Sequence, residues 1–569
     1  MHRLVFLLAL LLPASVHAQD ASAIESFVEA YHEADRFSGA VLVADGGEVL
    51  YAGGHGLANV AWGVPNTPET RFRIGSVTKQ FTAALVLQLM EEGLVDLEAP
   101  VTAYVPAYPA EPGDRVTVHQ LLVHTSGIPS YTSLPEFFPD LSRDPYAPDS
   151  FLTVFQDLPL DFEPGEQWSY NNSGYFLLGV LIEKVTGQSF ADALRDRLLT
   201  PLGLDDTDYE ESGVVYPRAA SGYVREGSRL ARAAYLDPSL PYAAGMMIST
   251  VGDLQAWSEA LAEGHVFERP ETLELMNTAH VDVGGGGGAY GYGVFVDEAQ
   301  VGGETVAIVE HGGGINGFST GFRLLPDRDA VIVTMSNTSD PARGLVDGIM
   351  RLLYGEAVEA PTPSAAGPVA DAFAEGGPEA AVAAFEAARA SGDYEVDENI
   401  LNDLGYDRLG DGDVEGALVL FRANVAAFPD AWNPHDSLGE ALREAGDTEA
   451  SIASYQRALD LNPGAASART ALEEMGATVE TLAVSETVLE RYVGRYEIQP
   501  GFVIEVTREG GELFGQATGQ SRFRLVPSSE TEFAVEGVDA RVAFEAGDPA
   551  PALTLFQSGA QIRAPRVEA

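Results

Sequence analysis

Ser76-Val77-Thr78-Lys79 stands at the head of an apolar run, Phe81-Thr82-Ala83-Ala84-Leu85-Val86-Leu87-Gln88-Leu89-Met90, in a chain of 569 residues. The run is apolar around most of a helical circumference, which predicts a helix sunk in a core. Residues three apart share a helix face, so Ser76 and Lys79 project together. Only two lysines occur, against 31 arginines. A guanidinium stays protonated at every accessible pH, whereas burial can strip an amine of its proton, so a lysine kept at this place points to a proton acceptor. A serine hydroxyl needs such a base within hydrogen-bond reach to become a competent nucleophile. On composition about one lysine in twenty has a serine three places earlier, so the pair alone is a moderate signal.

Two further stretches strengthen it. Tyr170-Asn171-Asn172 lies in a turn-rich segment, Trp168 to Tyr175, ahead of an apolar helix from Phe176 to Val185, and His311-Gly312-Gly313-Gly314 precedes a strand-turn-strand pattern. Each has a plain structural reading of its own: a turn with a half-buried aromatic, and glycines that suit any tight backbone. In this order with the serine-lysine pair, the three resemble the serine β-lactamase and penicillin-binding-protein superfamily, especially the branch of class C β-lactamases, D-amino-acid peptidases and related esterases. His124-Thr125-Ser126-Gly127-Ile128-Pro129 is similar to the family's loop after the nucleophile helix. Tyr242-Ala243-Ala244-Gly245 leading to Ser249-Thr250-Val251-Gly252-Asp253 is similar to its later helix entry, and Thr250 with Asp253 has N-cap spacing in its own right. Both stretches read as structural, and the resemblance covers residues 22 to 356.

The resemblance implies an α+β fold, with an antiparallel sheet flanked by helices, an all-helical half, and the site in the cleft between them. It makes Ser76 the nucleophile that forms an acyl-enzyme and Lys79 the acceptor of its proton. Tyr170 becomes base or proton donor to the leaving group, and Asn172 orients substrate and lysine. His311, Gly313 and Gly314 contact substrate, with the oxyanion between the backbone N–H groups of Ser76 and Gly314. No metal or organic cofactor is implied. The chain departs from the pattern at the third element, where β-lactamases and transpeptidases usually carry Lys-Thr-Gly. An imidazole titrating near about pH 6.5 is a weaker carboxylate anchor than lysine. That favours an ester or small-peptide substrate, with β-lactamase or D-Ala-D-Ala carboxypeptidase activity as one alternative and a penicillin-binding sensor without turnover as the other.

Gly317-Phe318-Ser319-Thr320-Gly321 matches the nucleophile elbow of α/β-hydrolases. An elbow must lead from strand into helix, yet Phe322 to Val333 reads as strand, turn and strand, so the context excludes it. Gly284 to Gly288 reads as a mobile loop and lacks the Gly-Lys-Ser/Thr ending of a phosphate loop.

The chain is 46% hydrophobic and 21% charged, enough to bury large cores in two to four domains. Met1 to Ala18 holds Arg3, an apolar Leu4 to Leu12 and small residues at Val16-His17-Ala18, a signal-peptide pattern over residues 1–18. The expectation is an exported protein, periplasmic or secreted, with no integral membrane segment after cleavage. The absence of cysteine excludes a thiol nucleophile, cysteine-metal sites and disulfides. A net charge of −52 repels nucleic acid and anionic lipid, and its lysine-poor composition resembles adaptation to salty surroundings.

Past Tyr354 the composition shifts to alanine, proline and glycine, predicting a linker over 357–370 marked by Pro361, Pro363 and Pro368. A period of 34 comes next: Leu404-Gly405, Gly412-Asp413, Phe421 and Pro429 recur as Leu438-Gly439, Gly446-Asp447, Tyr455 and Pro463. This resembles paired-helix tetratricopeptide units over 371–476, with Ala380 to Ala388 as a degenerate earlier copy and a protein partner as one use of the surface. So short a stack is expected to lean on a neighbouring domain. Residues 480–569 alternate apolar and polar positions in short runs, predicting a small all-β barrel-like domain.

Overall fold

The computed structural model describes residues 13–567 apart from 285–286, 341–342, 478–481, 500–501, 519, 521, 539 and 558–559. Arg3 and Leu4 to Leu12 of the expected signal peptide lie outside the described residues, as does the centre of the Gly284 to Gly288 run. The chain forms two compact units, Met1–Arg225 with Leu230–Pro363, and Glu226–Arg229 with Ser364–Ala569.

The first unit is built on one antiparallel sheet. Its strands are β1 (Gly39–Asp45), β2 (Glu48–His55), β3 (Val281–Asp282), β4 (Ala289–Tyr290), β5 (Phe295–Val301), β6 (Glu304–Ile315), β7 (Phe318–Leu325) and β8 (Ala330–Ser336), in spatial order β3-β4-β5-β6-β7-β8-β1-β2. β1 sits between β8 and β2, with Gly39 opposite Ser336 and Asp45 opposite Ala330. Side chains of a strand point alternately to opposite faces. Val41 and Val43 accordingly enter one core, with Ile24, Phe27 and Val28 of helix α1 (Pro13–Glu33) and Leu345 and Ile349 of a later helix, Arg343–Leu353. Ala40, Leu42 and Ala44 enter the other, shared with α2 (Thr78–Glu91) and α3 (Asn172–Thr186). A strand buried on both faces shows a continuous apolar run in place of alternation, which is what Ala40-Val41-Leu42-Val43-Ala44 presents.

α2 is buried nearly all round, from Thr78 to Leu87 without a break, and Phe81 stacks on Trp257 at 4.3 Å between ring centroids. The expected Phe176 to Val185 helix begins earlier, at Asn172. Gly317 leads into β7, a turn at Pro326–Arg328 and β8, so Ser319 lies inside a strand and the elbow reading fails on geometry. β6 pairs with β5 only as far as Glu310 opposite Phe295, then runs on to Ile315 along β7.

The second unit starts with helices and ends in a closed barrel of eight antiparallel strands, from Gly494–Gln499 to Ala560–Val567. The first helix, Ala366–Ser391, already contains Pro368. Proline is tolerated there because the first amides of a helix lack intrahelical acceptors, so the expected linker is shorter than 357–370. The 34-residue period has a packing cause. A Cβ on Gly405 would lie 2.5 Å from the Phe421 ring and one on Gly439 2.8 Å from the Tyr455 ring, so each glycine seats an aromatic of the next helix. Asp413 and Asp447 cap those next helices at Gly416 and Ala450. The helical end leans on the barrel through Gly537 N–H to the Gly464 carbonyl, 2.9 Å, and through Arg469 to Glu536, 3.2 Å.

Candidate active site

Ser76 sits on a single 3-10 turn, Gly75–Val77, that runs into α2. Gly75 has φ of +52°, a left-handed value costly for any side chain, and a Cβ there would lie 2.9 Å from the Gly314 amide nitrogen. A Cβ on Gly313 would come within 2.0 Å of the Ile74 carbonyl oxygen and 3.3 Å of the Ser76 amide nitrogen. β6 therefore presses on this turn with backbone against backbone, and the amides of Ser76 and Gly314 are brought close together. Gly314 itself faces open space.

Lys79 is fully buried. Its Nζ lies 3.2 Å from Ser76 Oγ, 2.9 Å from Asn172 Oδ1 and 2.7 Å from the Ala244 carbonyl oxygen. No carboxylate pairs with it among the described residues, and burial holds its amine well below the ordinary lysine value. A neutral amine has two N–H groups and one lone pair. Asn172 Oδ1 and the Ala244 carbonyl can only accept, so they take both N–H groups and leave the lone pair facing the Ser76 hydroxyl. The geometry can therefore draw a proton from Ser76.

The Tyr170 ring lies beside this group, with Lys79 Nζ 4.8 Å from its centroid. Burial pushes its phenol above the ordinary tyrosine value. The nearby Ser76 hydroxyl eases that shift, and Tyr170 Oη is buried with no hydrogen bond closed among the described residues. Asn171 and Asn172 divide their work. Asn171 caps α3, its side chain accepting from Gly174 N–H at 2.8 Å, while Asn172 points back to Lys79 and donates from Nδ2 to Thr132 Oγ1 at 3.0 Å.

His311 is 2 % exposed. Its Nδ1 lies 2.6 Å from the Gly312 carbonyl oxygen and its Nε2 3.1 Å from Tyr290 Oη, which fits a neutral ring donating from Nδ1 and accepting at Nε2. Burial, then the nearby Lys79, lowers its pKa to about 3. Both nitrogens are engaged within the protein, so the ring stands behind the site and does not offer substrate a cation.

Ser76, Lys79, Tyr170, Asn172, His311, Gly313 and Gly314 thus converge on one place. Sequence reasoning missed the Ala244 carbonyl, Ser130 and Thr132, and it read His124 as structural. Ser130 Oγ accepts from the Asn172 amide at 3.2 Å, beside the Thr132 contact. A signal for the α3 cap was present, since asparagine is favoured at an N-cap. A backbone carbonyl such as that of Ala244 carries no residue-type signature. No group of three or more metal-ligating side chains occurs among the described residues.

The β-lactamase family model matches residues 23–355, and a domain of unknown function, DUF3471, matches residues 481–562. A penicillin-binding protein of Bacillus subtilis (strain 168) is 24% identical over 96% of this chain and 98% of its own length. The crystal structure of a penicillin binding protein from Bacillus halodurans is 27% identical, covering 57% of this chain and 98% of that one with a TM-score of 0.52. D-amino acid amidase from Ochrobactrum anthropi SV3 is 26% identical, covering 59% and 97% with a TM-score of 0.51. The family match spans more than half of the sequence and encloses every candidate site residue, and the chain belongs to the β-lactamase family of serine hydrolases, with penicillin-binding proteins among its relatives.

Proposed function

We propose that the protein is an exported acyl-transfer hydrolase that splits an ester or small amide through an acyl-enzyme on Ser76. The observation that carries this is a buried, carboxylate-free Lys79 whose Nζ lies 3.2 Å from Ser76 Oγ. In acylation, Ser76 gives its proton to Lys79 Nζ while Oγ bonds to the substrate carbonyl carbon. The oxyanion is held by the Ser76 and Gly314 amides, an arrangement that contributes about 3 kcal/mol per donor in characterised enzymes. Tyr170, held protonated by burial, suits the donor role: it passes its proton to the departing alcohol or amine and is reprotonated from Lys79. Water then repeats the sequence on the acyl-enzyme, with the serine as leaving group.

A relative named for penicillin binding and a neighbour named as a D-amino acid amidase favour amides and β-lactams as substrates beside esters. The helical segment serves as a tetratricopeptide-like spacer or protein-docking surface in this reading. The test is intact-mass analysis of the purified protein with a fluorophosphonate and with benzylpenicillin, followed over time, then a panel of alkyl esters, D-amino-acid amides and β-lactams. A single adduct that maps to Ser76 is expected, the fluorophosphonate one stable and the penicilloyl one clearing with time. A persistent penicilloyl adduct points to a sensor, and no adduct on Ser76 from either probe refutes the nucleophile. Export is checked by the N-terminus of the protein recovered outside the cytoplasm, expected at Gln19.

A further inference from the structure

We propose that His124 is a positioning residue for Tyr170, fixing the phenol by gripping the chain on both sides of it; this rests on the acyl-transfer function proposed for Ser76. Ser169 N–H donates to the His124 carbonyl at 3.0 Å, and Asn171 N–H donates to His124 Nδ1 at 3.1 Å. One residue thus brackets Tyr170 with two hydrogen bonds. Its imidazole also lies against the Tyr170 ring, with centroids 4.5 Å apart and planes tilted by 43°.

The backbone argues that the side chain is required. His124 has φ of +61° and is 1 % exposed. Glycine adopts that conformation freely and other residues resist it, so a histidine kept there supplies something that backbone freedom does not. What it supplies is an acceptor at Nδ1, which places the proton of the neutral ring on Nε2. Tyr175, Tyr290 and Trp168 enclose the ring, and burial, the largest cause, with Lys79 and His311 close by, lowers its pKa and keeps it neutral.

The neighbouring contacts make the effect specific. Ser173 Oγ donates to the Pro129 carbonyl at 2.7 Å, the Asn171 side chain donates to the Ile128 carbonyl, and the Asn172 amide donates to Ser130 Oγ. These anchor the start of α3 without His124. Loss of the imidazole therefore frees Tyr170 while Asn172 and Lys79 stay in place.

The test compares wild type, Ser76→Ala, His124→Gly and His124→Asn on the amide or alkyl ester of the panel that wild type hydrolyses fastest, since these leaving groups need a proton. Glycine keeps the left-handed backbone and removes the acceptor. Asparagine tolerates the same backbone and puts Oδ1 where Nδ1 stood. We expect His124→Gly to lose about 100-fold in kcat with KM within about twofold, and His124→Asn to recover at least about tenfold of that loss. A His124→Gly enzyme with wild-type kcat, or a His124→Asn enzyme no better than the glycine variant, overturns the proposal. If the glycine variant does not fold, His124→Leu, which fills the site and offers no acceptor, takes its place: kcat at least about tenfold below that of His124→Asn supports the proposal, and equal values overturn it. Wild type that is never acylated on Ser76 brings down the acyl-transfer reading and this inference with it, whereas wild-type acylation with an insensitive position 124 brings down only the latter.

Discussion

The chain's two lysines occupy opposite environments. Lys79 is buried among carbonyls and a hydroxyl, whereas Lys184 lies on the surface with Nζ 2.7 Å from Asp149 Oδ2 and 38% of its side chain exposed. Water solvates the ammonium of Lys184 and a carboxylate neutralises it. Lys79 has neither, so its charged form is the costly one and the neutral amine is favoured. One side chain, placed twice, is a surface tether at one position and, in the proposed reaction, a proton acceptor at the other, and the surroundings make the difference.

The comparison breaks most sharply if Lys79→Arg retains activity. A guanidinium cannot take the Ser76 proton, so acylation should fall by at least about 1,000-fold in stopped-flow labelling. Gly313→Ala comes next, since its Cβ would meet the Ile74 carbonyl oxygen at 2.0 Å. Displacing the Ser76 turn should cost about 100-fold in acylation, with a lower melting temperature in calorimetry. Tyr170→Phe keeps the ring and removes the proton, and about 10- to 100-fold in kcat is expected, larger for amides than for activated esters.

The pH dependence sharpens the contrast further. Lys79 must be unprotonated to act, so acylation should rise as pH increases through its lowered pKa and level off well below the ordinary lysine value of about 10.4. His311, lowered to about 3, adds no step near neutrality, and its imidazole signals in NMR should not titrate between about pH 5 and 8. The smallest effect belongs to the surface lysine. Lys184→Ala should leave kcat unchanged and alter stability by at most about 1 kcal/mol, the usual worth of an exposed pair.

Much of the site was legible because its groups are side chains with fixed chemistry: Ser76, Lys79, Tyr170 and Asn172 announce themselves by type and order. The sheet was legible where a strand-turn-strand pattern shows, as in β7 and β8, and Gly405 and Gly439 were legible because they recur with the 34-residue period. What escaped was main-chain chemistry and context. The Ala244 carbonyl could belong to any residue. His311 read as a weak anchor for substrate until its neighbours enclosed it, and Pro368 reads as a linker residue until the helix begins two residues earlier. His124 was visible as a letter, but its grip on the chain around Tyr170 depends on a backbone angle that no residue name records.

The joint between β6 and the Ser76 turn has a wider consequence. Gly75 and Gly313 make it from main chain alone, so its spacing depends on no side chain. Residues at the rim of the cleft are then free to vary, and substrate preference can be retuned while the place where the bond is cut keeps its dimensions.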